Sequence, residues 1–105
     1  MEILCSNEVF VLVTVILEAD WVLRDAYEMP RDDVIREVRR FCGLERVTVG
    51  DAEALGRSLA YAERRLDLAE ALHLAQGREC EAFVTLDKPL ARKARRSTDV
   101  RVRLA

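Results

Sequence analysis

Apolar and polar positions along this 105-residue chain fall into short runs of two kinds. Residues 9–13, VFVLV, are continuously apolar and rich in β-branched valine, which predicts a short buried strand. Residues 46–49 are a second short strand candidate, and 82–86, AFVTL, read as a buried strand. Residues 100–104, VRVRL, alternate as an edge strand does. Between these runs the apolar spacing is helical. Over 14–27, with Thr14 as cap, Val15, Leu17, Val22 and Ala26 are apolar nearly all round, which predicts a well-buried helix. Over 31–41, Val34, Ile35, Val38 and Phe41 share one face. Pro30 sits where a first helical residue belongs, Asp32 and Asp33 occupy the first turn, and Gly43 stops the helix. Asp51 is placed to cap a helix reaching about Arg64, with Ala54, Leu55, Leu59 and Ala62 inward. Residues 67–78 predict another helix with Leu68, Ala71, Leu72 and Ala75 inward, and 88–96 a basic one. Helices alternating with short strands predict an α/β layer on a small parallel sheet, in a single domain.

Composition narrows the class. Half the residues are apolar and a third are charged, as in a globular domain. The net charge of −2 gives no overall electrostatic case for nucleic acid. A local case remains, because Lys88, Arg92, Lys93, Arg95, Arg96, Arg101 and Arg103 crowd the C-terminal end. Those on 88–96 could contact phosphates or simply form a solvated helix face. Cys5, Cys42 and Cys80 are odd in number and widely spaced, which predicts free thiols of a cytoplasmic protein rather than a zinc site or disulfides. The apolar run 9–17 has no basic flank and is too short for a bilayer, so no membrane partner is expected.

The acids are the candidate chemistry. Asp87 follows directly on an apolar run, and a carboxylate at the C-terminal end of a parallel strand is placed to hold a divalent cation. Asp67 and Glu70 share a helix face. Glu18 lies in the apolar helix and is expensive to bury without a cationic partner, for which Arg24 is a candidate. Structural roles compete with these. Asp67 can be a helix cap completed by Glu70, and Asp87 can cap the helix after it. The single histidine, His73, reads as a helix-surface residue rather than a general base, and Trp21 and Tyr27 read as core or interface. Thr85 and Ser58 have no histidine at a recognisable spacing for nucleophilic catalysis.

Three stretches, ILEADWVLRDAY (16–27), LDLAEALHLAQ (66–76) and AFVTLDKPLARKARR (82–96), stand in an order and separation that resembles PIN domains of the VapC toxin type. The resemblance runs from Val9 onward. It implies a PIN-like three-layer α/β/α fold around a small parallel sheet. It also implies a metal-dependent endoribonuclease of a toxin–antitoxin system, in which an acidic set binds Mg2+ or Mn2+ and activates water against an RNA phosphodiester. Its implied partners are RNA, a small antitoxin protein and a second copy in a homodimer. Matched by residue, the family's acids fall on Glu18, Glu70 and Asp87, with Asp67 in support. The family's opening strand and helix, with its first aspartate, have no counterpart here. That predicts weakened catalysis, unpaired strand edges and exposed apolar surface. Glu70 stands where the family usually has aspartate. The resemblance therefore also implies an alternative: a catalytically inactive remnant that binds an antitoxin or dimerises.

Overall fold

The computed structural model describes residues 8–105; the opening stretch with Cys5 lies outside the described residues. The elements run β1 (Val9–Val11), α1 (Val13–Asp25), α2 (Arg31–Cys42), β2 (Val47–Val49), α3 (Ala52–Glu63), α4 (Leu68–Gln76), β3 (Phe83–Thr85), α5 (Lys88–Ser97) and β4 (Val102–Leu104). The fold is α/β. The chain divides into two compact units, Met1–Ala52 and Glu53–Ala105, the boundary falling at the first residue of α3.

In the first unit β1 pairs with β2 in parallel, with Val9 opposite Val47 and Val11 opposite Val49. Parallel neighbours need a long crossover, which α1 and α2 provide. Helix α2 forms as its pattern requires: Val34, Ile35 and Val38 are buried, and the Gly43 N–H bonds back to the Arg39 and Arg40 carbonyls. Pro30 serves as N-cap, one position earlier than expected. Helix α1 departs from expectation. It starts at Val13 with Leu12 as N-cap, so Thr14 lies inside the helix, and no side chain caps it. Only Ile16 and Asp20 are buried on it, while Trp21 is 60% exposed and Val15, Val22 and Ala26 are also exposed. A helix apolar all round can bury only the face that meets a neighbour, here α2. Trp21 and Tyr27 are therefore not core residues in this chain.

In the second unit β3 pairs with β4 in parallel, Phe83 opposite Val102 and Thr85 opposite Leu104, with α5 as the crossover packed on both strands. The buried set is larger: Leu55 and Leu59 of α3, Leu72 and Leu74 of α4, Leu90 and Ala94 of α5, and Leu66 between helices. Burying a leucine side chain stabilises a fold by about 1.5–3 kcal/mol, so these positions dominate the unit's packing. Strand β3 is not buried as expected. Val84 is exposed and Leu86, just beyond it, is 82% exposed. A two-stranded ladder whose crossover covers one side leaves alternate side chains of β3 in solvent. The parallel pairing expected from the alternation of elements is present, but as two two-stranded ladders, one in each unit. Each described strand is thus paired along one edge only, and apolar side chains such as Phe10 and Leu86 are exposed.

Candidate functional site

Each acid singled out in the sequence has a defined local role. Asp87 follows Ser- and Gly-free strand β3 at its C-terminal end and is the N-cap of α5. Its Oδ1 accepts a hydrogen bond from the Leu90 N–H at 3.0 Å, and its own N–H donates to Thr85 Oγ1 at 3.0 Å. Asp67 is the N-cap of α4 and accepts from the Ala69 N–H at 3.1 Å. Glu70 lies half-buried in the first turn of the same helix. Glu70, Asp87 and Asp67 thus belong to the second unit. Glu18 belongs to the first, exposed on α1. Within neither unit, among the described residues, do three or more His, Cys, Asp or Glu side chains form a group able to hold a metal ion.

The buried acid of α1 is Asp20, not Glu18. Arg24 grips it with both carboxylate oxygens engaged: Nε donates to Oδ1 at 3.0 Å and Nη2 to Oδ2 at 2.8 Å. The expected pairing of Arg24 with Glu18 is therefore replaced by a bidentate pair one turn apart on the helix, the stronger geometry for a guanidinium. Asp20's side chain is only 6% exposed, and that pairing is what makes the burial tolerable.

A second polar cluster, in the second unit, has no signature in the sequence. The Tyr61 hydroxyl donates to Asp99 Oδ1 at 2.5 Å, and Arg78 Nε donates to Asp99 Oδ2 at 2.7 Å. These two donors hold the Asp99 carboxyl down at about 2. Burial first, then the bond to Asp99, pushes the Tyr61 phenol up to about 12. Asp99 is 38 residues from Tyr61 and 21 from Arg78, so no local spacing announces the cluster. Beside it lies an open cleft of about 340 Å³ lined by Arg57, Ala60, Tyr61, Arg64, Arg78 and Asp99. A further cleft of about 570 Å³ includes Asp99, Arg95, Arg101 and Arg103 in its walls, together with Glu81.

The remaining candidates are quiet. His73 is exposed in the last turn of α4, as a surface histidine would be. Ser58 is buried and donates to the Leu55 carbonyl at 2.8 Å, an ordinary helix contact. Cys42 and Cys80 are free thiols, and partial burial raises the pKa of Cys42 above that of an exposed thiol. No described helix is long and apolar enough to cross a membrane.

No family model matches the chain, and neither the curated proteins nor the solved structures contain a match to it.

Proposed function

We propose that this chain is a PIN-like domain of the VapC type whose chemistry is metal-dependent cleavage of RNA. By the sequence resemblance, the acids assigned to that chemistry are Glu18, Glu70 and Asp87, with Asp67 in support. The observation that carries the reading is the position of Asp87, two residues beyond the end of a parallel strand and at the start of the next helix. Open α/β folds do their chemistry at that point in the chain. Asp87 uses Oδ1 to cap α5, and a carboxylate that accepts one backbone hydrogen bond keeps lone pairs for a hard cation. Glu70 stands one helical turn after Asp67, whose carboxylate fixes the start of the same helix. The donor set is all carboxylate, which suits Mg2+ or Mn2+ rather than a soft metal. Such an ion, when bound, supplies an acidified water and neutralises charge on the phosphate. The chain's own part is to aim the carboxylates and to hold the RNA backbone.

The test is cleavage of a mixed single-stranded RNA by the 105-residue chain in Mn2+, beside the double variant Glu18→Gln/Asp87→Asn. Asparagine caps a helix about as well as aspartate, so the variant keeps α5 while losing the negative charges. Cleavage by the parent and none by the variant is expected. Equal rates would overturn the reading.

One observation favours a second reading, a catalytically inactive module that binds a small antitoxin. Helix α1 carries Val15, Trp21 and Val22 in solvent and Tyr27 follows it 72% exposed, a concentration of large apolar side chains that suits a protein partner. Metal-independent co-purification with a small partner, together with no RNA cleavage, is the outcome that belongs to this reading.

A further inference from the structure

The −2 net charge conceals an uneven distribution. Residues 1–52 carry eleven acidic and six basic side chains, a net −5; residues 53–105 carry eight acidic and eleven basic ones, a net +3. Within the second unit the arginines are gathered at the two clefts described above. Arg57 and Ala60 lie on α3 and Arg64 directly follows its last residue, and all three line one cleft. Arg78 reaches the same cleft from beyond α4. Arg101 and Arg103 stand two apart at β4, the spacing that places side chains on one face of a strand, and Arg95 joins them from α5. Asp99 lines both clefts, so the two sets of arginines adjoin.

Four of the guanidinium groups have partners within the unit. Arg57 pairs with Glu53 at 2.9 Å, Arg64 donates to the Ser97 carbonyl at 3.0 Å, and Arg78 is fixed by Asp99. Arg95 donates to the Val102 carbonyl at 3.4 Å. A guanidinium has more N–H donors than such contacts use, and its planar fork matches a phosphate. Orienting partners reduce the ordering cost of binding an anion there. Asp99 itself accepts on both oxygens, from Tyr61 and from Arg78, and so ties the end of α3 to Arg78.

We infer that this arginine-lined face of the second unit is a track for the phosphodiester backbone of single-stranded RNA, with one phosphate seated at Arg57, Arg64 and Arg78 and another at Arg95, Arg101 and Arg103. The inference rests on the reading above that the ligand is RNA, and it names where the backbone is held. It does not depend on the acids being competent for cleavage.

The experiment measures binding of a fluorescein-labelled single-stranded RNA to the full chain in EDTA, across a salt series. Two variants carry the test: Arg57→Gln/Arg64→Gln and Arg101→Gln/Arg103→Gln. The second lies at the exposed end of the chain and keeps the inference testable if the first fails to fold. Arg36→Gln/Arg40→Gln on α2 removes the same charge from the first unit, where both side chains are exposed. Each second-unit variant is expected to bind about tenfold more weakly, with the slope of log affinity against log salt reduced by about 0.7, as one lost phosphate contact requires. The α2 variant should bind as the parent does. Equal weakening in all three, or no binding by the parent, overturns the inference. RNA binding lost in the second-unit variants while the parent does not cleave leaves the track standing and removes the nuclease reading. Cleavage with an unchanged KM in the second-unit variants removes the track and leaves the nuclease reading.

Discussion

The two units of this chain invert each other. Among the described residues the first buries six apolar side chains and leaves seven large ones exposed, Phe10, Trp21 and Tyr27 among them. The second buries fifteen and leaves three exposed. Their charges are inverted too, acidic against basic. Both have the same kind of scaffold, a parallel two-stranded ladder with helical crossover. The difference teaches that scaffold does not set the size of a core. Helices α3, α4 and α5 are rich in Leu and Ala at inward positions and bury them. Helix α1 is as apolar but buries one narrow face, which includes the Asp20 carboxylate held by Arg24.

The largest expected effect probes the second unit's packing. Leu74 is wholly buried on α4, and Leu74→Ala should cost about 3 kcal/mol in urea unfolding, since it removes buried methylenes and leaves a cavity. A cost below about 1 kcal/mol would show that the site collapses freely and that the contrast in packing is overstated. The next effect probes the first unit. Arg24→Ala leaves the Asp20 carboxylate buried without its bidentate partner, and a loss of about 2 kcal/mol is expected. The exposed pair of Arg36 with Asp33 provides the contrast, because Arg36→Ala should change stability by less than about 0.5 kcal/mol. Equal effects from the two arginines would mean that burial of Asp20 contributes nothing special.

The smallest effect is a pH dependence in the second unit. The folded-state pKa of Asp99, about 2, lies below its ordinary value of 3.8. The ionised carboxylate therefore stabilises the fold above 3.8, and that contribution disappears as pH falls towards about 2. The advantage of the parent chain over Asp99→Asn should be level at neutral pH and shrink across that acid window, followed by thermal melting. Tyr61 has the opposite sign. Its raised pKa adds stability below its ordinary value of 10, which is lost as pH rises through about 12. An acid-side advantage that stays constant down to about 2 would separate Asp99 from the stability of its unit.

Much of the local structure was legible in the residues. The starts of α4 and α5 follow from Asp67 and Asp87, short carboxylates that satisfy the free N–H groups of a first turn. The same fact explains why those acids were ambiguous as site residues: a cap and a cation ligand call for the same side chain in the same place. The inward faces of α2, α3 and α4 were readable because an apolar stripe at helical spacing has one side to hide. Helix α1 was not, because an all-round apolar pattern says nothing about which face finds a partner. Its buried acid was misassigned for the same reason: Glu18 and Asp20 lie on different faces, and only packing selects one.

The sequence by itself determined the order of strands and helices, the caps of α4 and α5 and the stop of α2 at Gly43. These depend on neighbours within a few residues, where backbone geometry is local. Only the tertiary structure decided that the strands pair as two parallel ladders, that Tyr61, Arg78 and Asp99 meet, and that arginines from α3, α5 and β4 line adjoining clefts. Those are contacts between residues far apart in the chain. Their partners are chosen by how crossovers return and pack, and spacing along the sequence does not encode that.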